Sequence, residues 1–218
     1  DFDGTTAQTI TSGTNPFYSV SISNTVATVT IADKFEFDAS GTLTIIDASA
    51  TFATAGFEFD DNGGTITNNG TFEIHGDETF TTGILSIPGN TKFVSNGGAT
   101  TLTPTLNGLE DVTFDASGQT ISFGEAIDYL SGDILVTTGT TVNMSTFNLT
   151  VQAGKEIENN GNWALPSAES TLICAGSATF SGVNGMSFYH FSAQVASSVL
   201  TFQRSKTYIV RKNLTIVG

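Results

Sequence analysis

The sequence has a single cysteine, Cys174, among its 218 residues, so no internal disulfide can form. It has only two histidines and no Cys/His cluster, which argues against a zinc site. Its apolar runs fall well short of the 18 or more residues that a membrane-spanning helix requires, so we expect no membrane insertion. Amphipathic segments with helical spacing are missing too, and this favours an all-β chain.

Basic residues are also scarce. Seven Lys and Arg face 21 Asp and Glu, for a net charge of −14, which makes nucleic acid a poor partner because phosphate binding needs clustered cations. Charged residues make up 13% of the chain, about half of the roughly 25% that is typical of globular proteins. The polar surface must therefore come from Thr, Ser, Asn and Gly, which suit strands and turns. The 17 Phe argue against a disordered chain.

Short runs of alternating apolar and polar residues fill the sequence. Residues 35–37, 57–59 and 72–74 all read aromatic–Glu–apolar, a pattern that places apolar side chains on one face of a strand. Asn-Gly pairs at 62–63 and 160–161 are typical of the tight turns between such strands.

A longer repeat lies over this alternation. Residues 68–72 (NNGTF) are echoed by 159–163 (NNGNW), and residues 41–45 by 132–136, in both cases 91 positions later. We interpret residues 1–218 as one continuous repeat domain. Its internal units span approximately 1–91, 92–178 and 179–218, the last of them partial.

Two all-β folds accommodate such a unit. A right-handed parallel β-solenoid would build each unit from about four turns of roughly 20–25 residues. Tandem immunoglobulin-like sandwiches would need about seven strands per unit. The units follow one another without a linker and the turns are short throughout, so the solenoid is the preferred prediction and the sandwiches are its alternative.

The motifs at residues 8–10, 17–22, 41–45 and 69–72 resemble the Thr/Gly-rich repeats of large secreted bacterial surface proteins, loosely those of filamentous haemagglutinin and autotransporter passengers. The resemblance implies a right-handed β-helix and an extracellular or cell-surface location. It implies a structural segment of a surface fibre, adhesin or matrix protein, and it carries over no catalytic residue, so we predict no enzyme. Because the sequence begins and stops beside strand patterns, we expect a piece of a longer protein.

Charge is distributed unevenly along the chain. All 21 acidic residues lie between Asp1 and Glu169, whereas the charged residues after Glu169 are all basic. Because complementary charge orients association, this asymmetry predicts head-to-tail self-assembly into filaments. The alternative partner is a neighbouring repeat of the same protein. Alternatively, the basic residues only protect an exposed edge strand. The candidate assembly residues are Asp1, Asp3, Arg204, Lys206, Arg211 and Lys212.

Two other functions remain open. A carbohydrate-binding or adhesive module would stack sugar rings on exposed aromatic residues, for which Tyr18, Tyr129 and Trp163 are the candidates. A polysaccharide-active β-helix enzyme would need two carboxylates facing each other across a groove.

No cofactor is predicted. Acidic clusters at residues 1–4, 60–63 and 77–78 provide oxygen ligands of the kind that Ca²⁺ takes, but neither an EF-hand loop nor a Gly-Gly-x-Gly-x-Asp repeat is present. We interpret these clusters as solvated turn residues, with Ca²⁺ as the alternative. His75 and His190 are interpreted as ordinary polar residues, and Cys174 as a small buried apolar residue.

Overall fold

A computed structural model describes residues 1–75, 84–85, 87–95, 97–102, 105–164 and 169–217, except for the side chains of 84–85, 105–108 and 128–129. In these ranges every regular element is a strand, and no helix is present that could span a membrane. The strands in chain order are β1 (Gln8–Ile10), β2 (Phe17–Ile22), β3 (Val29–Ile31), β4 (Phe35–Ile45), β5 (Thr51–Ala53), β6 (Phe59–Asp60), β7 (Thr65–Asn68), β8 (Thr71–Ile74), β9 (Ile84–Leu85), β10 (Asn90–Phe93), β11 (Thr100–Leu102), β12 (Thr105–Leu109), β13 (Asp111–Phe114), β14 (Thr120–Phe123), β15 (Ile127–Leu130), β16 (Ile134–Val136), β17 (Thr141–Asn143), β18 (Leu149–Val151), β19 (Lys155–Asn159), β20 (Asn162–Trp163), β21 (Thr171–Cys174), β22 (Ala178–Ser181), β23 (Met186–Phe188), β24 (His190–Ala193), β25 (Leu200–Phe202), β26 (Tyr208–Val210) and β27 (Leu214–Ile216).

These strands stack in parallel, and the chain winds as a β-solenoid. Each turn passes three faces in order. The first face is one ten-stranded sheet, β1-β3-β5-β8-β10-β13-β16-β19-β22-β25. The second face holds the first half of β4 with β6, and then β11-β14-β17-β20-β23-β26. The third face holds β2, the second half of β4 and β7, and then β9-β12-β15-β18-β21-β24-β27. The prediction of a parallel β-solenoid is confirmed, and the alternative of antiparallel sandwiches is wrong.

The length of a turn follows from the register of the first face. Paired residues lie 19 positions apart at Phe72 and Thr91, and 23 positions apart at Ile157 and Phe180. This range is close to the predicted 20–25 residues. From β16 to β19, a strand on each face and the short corners between the faces use up this length.

The core is the interior of the stacked turns. In β8, Phe72 and Ile74 point inward and are buried, while Glu73 lies on the outer surface, as the period of two requires. Aromatic rings stack from turn to turn: Phe35 lies 5.0 Å from Phe17 and 5.2 Å from Phe59, centroid to centroid. Full burial of one such ring contributes about 1.5–3 kcal/mol to the free energy of unfolding.

The two copies of the Asn-Asn-Gly motif each form a tight corner between two faces. A Cβ on Gly70 would lie 2.5 Å from the carbonyl oxygen of Asp47, and one on Gly161 would lie 2.5 Å from that of Thr137. At this approach only glycine fits beneath the preceding turn. The first Asn of each motif, Asn68 or Asn159, is buried, and its side-chain nitrogen donates to a carbonyl of the following turn.

The two copies of the Asn-Asn-Gly motif lie on different faces of the solenoid. Asn68 ends β7 on the third face, whereas Asn159 ends β19 on the first face. A step of 91 residues is therefore four turns and one further face, which agrees with the predicted count of about four turns per unit. The predicted boundaries after residues 91 and 178 fall inside β10 and β22, two strands of the continuous first-face sheet.

Candidate functional site

The last turn of the solenoid, formed by β25, β26 and β27, has free strand edges. These strands pair with β22, β23 and β24 of the preceding turn, and within the described residues nothing pairs with their other side. Unpaired parallel edges present a row of backbone N–H and C=O groups to any further strand. This turn can therefore accept another layer by strand addition.

The inward-facing side chains of this turn are uncovered. Phe180 is 0% exposed, but its register partner Phe202 is 42% exposed. On the third face Phe191 is buried, whereas its partner Leu214 is 59% exposed. Phe191, Phe202 and Leu214 border an open cavity of about 410 Å³. Its lining residues are Phe188, Phe191, Leu200, Phe202, Lys206, Tyr208, Val210, Leu214 and Ile216. The end of the hydrophobic core is thus open at the last turn, and we name this surface the C-terminal face.

Four cations lie in the corners of the last turn, between β25 and β26 or between β26 and β27, and two of them have partners. Lys206 Nζ donates to the carbonyl oxygen of Val183 at 2.5 Å, and the Arg211 guanidinium lies over the Tyr189 ring, 5.7 Å from its centroid. Arg204 and Lys212 have no ion-pair partner within the described ranges. Because no acidic residue follows Glu169, the positive charge of this end is not compensated locally.

The opposite end is built differently. Residues 1–7 form an arm that precedes β1, and Phe2 of this arm pairs with Ile22 on the third face. Asn24 is buried and fixes the arm, because its side-chain nitrogen donates to the Thr6 carbonyl at 2.7 Å and to Gln8 Oε1 at 3.0 Å. Ile10, Val20 and Ile22 of the first turn are buried, so the two ends of the solenoid are not equivalent.

The arm also carries the predicted acidic residues. Asp1 and Asp3 flank Phe2, and both are exposed. Neither has an ion-pair partner among the residues placed by the structure. The six residues predicted for assembly thus lie at the two ends of the molecule, in an acidic group and a basic group.

The three aromatic candidates for sugar stacking do not form one platform. Trp163 points into the core and is 2% exposed, so it cannot offer a ring face to a sugar, and its prediction as a stacking residue is wrong. Tyr18 is 70% exposed. Tyr129 lies in β15, and its side chain is outside the described part of the chain.

Outward-facing carboxylates line a groove of about 150 Å³ on the first face. Asp111 Oδ1 accepts a hydrogen bond from the backbone N–H of Asp133, and Asp133 Oδ1 accepts one from that of Glu156, both at 2.8 Å. These carboxylates cap backbone groups of the next turn. They continue the outer surface of the strands, an arrangement unlike two carboxylates facing each other across a sugar-sized cleft.

The acidic clusters proposed for Ca²⁺ differ in their surroundings. Burial raises the pKa of Asp61, and Asp60 lies 3.6 Å from Lys34 Nζ. Residues 77–78 lie outside the described residues. No group of three or more candidate metal ligands occurs in the part of the chain that the structure describes.

A network of charges joins three successive turns on the first face, and a hydrogen bond from Thr137 extends it to a fourth. Lys92 Nζ lies 2.9 Å from Asp115 Oδ2 and 3.5 Å from Glu73 Oε2, and His75 Nε2 lies 3.1 Å from Glu73 Oε1. Burial raises the pKa of Glu73, but the hydrogen bond from His75 and the charge of Lys92 outweigh it and hold this pKa below its usual range. The hydrogen bond from Lys92 lowers the pKa of Asp115, whose Oδ1 accepts from Thr137 at 2.8 Å. The network thus connects outward-facing side chains of successive turns.

Two further reactive side chains lie on the third face. Cys174 is buried, and burial raises the pKa of its thiol to about 12. His190 lies on the outer surface of the third face, with its ring 4.9 Å from that of Tyr189.

Comparison with protein-family models, with curated proteins and with solved structures found no match to this chain.

Proposed function

We propose that this chain is a structural segment of an extracellular surface fibre, adhesin or matrix protein, and that it joins a further β-solenoid turn through its C-terminal face. The observation that carries this proposal is the exposed end of the core at β25, β26 and β27. Three free parallel edges around apolar side chains match the surface that each internal turn presents to its successor.

The energetics of this face favour a covering layer. Exposed apolar patches of this kind usually mark interaction surfaces. Each Å² of apolar surface that binding removes from water contributes about 25 cal/mol to the free energy of association. Phe202, Leu214 and Ile216 together provide the apolar area that a further turn would bury. The extracellular location rests on the Thr/Gly-rich composition and on the resemblance to secreted bacterial repeats.

Hydrogen exchange on a tandem protein tests the proposal. Two copies of the chain are joined by a flexible Gly/Ser linker of about 20 residues, whose root-mean-square span of roughly 25 Å lets the second copy reach the C-terminal face of the first. At a concentration too low for association between molecules, the tandem is compared with the single chain. We expect peptides of β25, β26 and β27 to split into a protected and an unprotected population in equal amounts.

A matched tandem carries Leu214→Lys and Ile216→Lys in its first copy. Both side chains are exposed in the single chain, so the substitutions leave the fold intact and remove only the apolar contact. This control should show one unprotected population. If the unsubstituted tandem also shows one unprotected population, the C-terminal face does not accept a turn and the proposal is overturned.

A further inference from the structure

We infer that the outer surface of the third face binds ice where β2, β4 and β7 stack. Six hydroxyl side chains form this surface in two columns, and we name it the hydroxyl grid. The first column is Ser19, Thr42 and Thr65, and the second column is Ser21, Thr44 and Thr67. The grid lies on the side of the solenoid, so the inference does not depend on the C-terminal face or on the proposed function.

The register of the three strands produces the grid. Partners within each column lie on adjacent parallel strands and are 23 residues apart at every step. Residues two apart in a strand point to the same side, and the residue between them points to the opposite side. Val20 and Leu43, which lie between the two columns in β2 and β4, are buried in the core. The hydroxyls of both columns are therefore held on the outer surface.

The spacings of the grid resemble those of an ice surface. Neighbouring parallel strands lie about 4.8 Å apart, and residues two apart in one strand are separated by about 6.6 Å. The side chains thus occupy the points of a rectangular lattice. Oxygen atoms on a prism face of ice also repeat in two perpendicular directions, with one spacing close to that of the strands and a longer one across it. A surface with this pattern can hold water molecules at the positions that they occupy in the crystal.

Most hydroxyls of the grid are free to bind water. Thr42 Oγ1 donates to Ser19 Oγ at 3.2 Å, so the side chains of successive turns are aligned. The other four hydroxyls make no hydrogen bond to any residue that the structure describes. A hydroxyl donates one hydrogen bond and accepts two, which suits a lattice of water. Threonine is branched at Cβ and has few rotamers, so little side-chain entropy is lost when its hydroxyl is bound.

The grid contains no charged side chain, although the chain has 21 acidic and seven basic residues. A charge orients the surrounding water molecules around itself and thereby disturbs an ice-like arrangement. Asp1 and Asp3 belong to the arm that adds to β2, and they mark one border of the grid. The first face offers no comparable surface, because its outward positions include Glu73, Lys92 and Glu158. Neutrality and regular spacing therefore coincide on the third face at β2, β4 and β7.

The growth of ice grains tests the inference. The purified chain is frozen in sucrose solution and held a few degrees below the melting point, and the mean grain radius is followed by microscopy. An equal mass of serum albumin is the reference for a protein that does not bind ice. We expect the chain to slow the growth of the grains. If the grains grow as fast with the chain as with albumin, the inference is overturned.

Two tyrosine variants locate the activity. Thr44→Tyr places a ring in the middle of the second column and should abolish the slowing of grain growth. Thr150→Tyr is the matched control, because Thr150 also lies at an outward position of the third face, but on β18 and outside the grid. Circular dichroism and urea midpoints establish that both variants are folded. Equal activity of the two folded variants would show that the grid does not bind ice.

A third variant tests the grid without a bulky side chain. Ser19→Thr together with Ser21→Thr gives every position of the grid the same side chain and adds only two methyl groups on the outer surface. The stiffer threonine side chains hold their hydroxyls in place, so this variant should slow grain growth more than the unsubstituted chain does. If Thr44→Tyr does not fold, this variant decides the question. Grain growth no slower than with the unsubstituted chain would then contradict the inference.

Discussion

The Phe202 ring stacks on the Phe180 ring at 4.9 Å between centroids and 11° between planes, yet only Phe180 is enclosed. Both residues face inward on the first-face sheet, one turn apart. Each ring packs on its neighbour in this stacked pair. The difference in exposure comes from the side that faces the next turn, because β25 follows Phe180 and no described strand follows Phe202. The same relationship between a covered and an uncovered ring defines the C-terminal face.

Truncation of these two rings should have unequal effects. Phe180→Ala removes a ring that also contacts Phe188, Phe191 and Tyr208, and should lower the free energy of unfolding by about 3–5 kcal/mol. Phe202→Ala should lower it by about 1–2 kcal/mol, since part of its surface is already in water. The shift of the urea midpoint, followed by far-ultraviolet circular dichroism, measures both. Equal shifts would mean that the last turn is covered in solution.

The corner glycines should be equally intolerant of a side chain. Gly70→Ala and Gly161→Ala each drive a Cβ into carbonyl oxygens of the preceding turn and should destabilise the protein by about 1–3 kcal/mol. Gly98→Ala is the matched control, because a Cβ there meets no atom within 4 Å. Thermal unfolding measures the three variants. A substitution at Gly161 as mild as the one at Gly98 would contradict the tight corner.

The sequence predicted the strands and turns well because both depend on local pattern. Alternation fixes which residues of β8 face inward, and Asn-Gly pairs mark corners wherever they occur. It could not predict which corner a motif occupies: the Asn-Asn-Gly turn at 68–70 joins the third face to the first, and the one at 159–161 joins the first to the second. The glycine approaches two carbonyl oxygens equally closely in both corners, and only the sum of all turn lengths in between decides the face.

Side-chain direction in the shortest strands could not be predicted from the sequence either. β20 is two residues long, so the period of two cannot tell whether Asn162 or Trp163 faces inward. The structure decides it through register, since Trp163 pairs with Val142 and Met186, both buried. The open core at β25 was also not predictable, because Leu200 to Phe202 has the same alternation as the enclosed strands.

The charge network on the first face should give the stability a defined pH dependence. The pKa values of Glu73 and Asp115 are lowered in the folded protein, so their contribution is present above the unfolded pKa of about 4 and is lost as pH falls through the folded values. The pKa of Lys92 is raised, so its contribution is complete below about 10.4 and is lost as pH rises through the folded value.

Lys92→Met should flatten both limbs of this profile. Lys155→Met is the matched control, because Lys155 also lies on the first face and has no ion-pair partner in the described part of the chain. Urea midpoints from pH 2 to 11 measure the two profiles. An unchanged acid limb in Lys92→Met would show that the Glu73–Lys92–Asp115 network does not contribute.

The charges at the two ends should control the strength and the salt dependence of association. Lys212→Glu places an acid beside β27, where the acidic arm of the next copy would dock, and should weaken association by about two- to fivefold at low salt. Because these charges are exposed, the difference from the unsubstituted chain should shrink once the Debye length falls to about 3 Å, near 1 M salt. Sedimentation velocity across concentration and salt measures both effects.

Lys155→Glu is the control, since it makes the same charge change away from either end. Asp3→Lys mixed with Lys212→Glu should recover part of the loss, because the ion pair forms with its signs exchanged. If the mixture binds no better than Lys212→Glu alone, the acidic arm does not meet the basic turn, and the basic residues protect the edge strands instead.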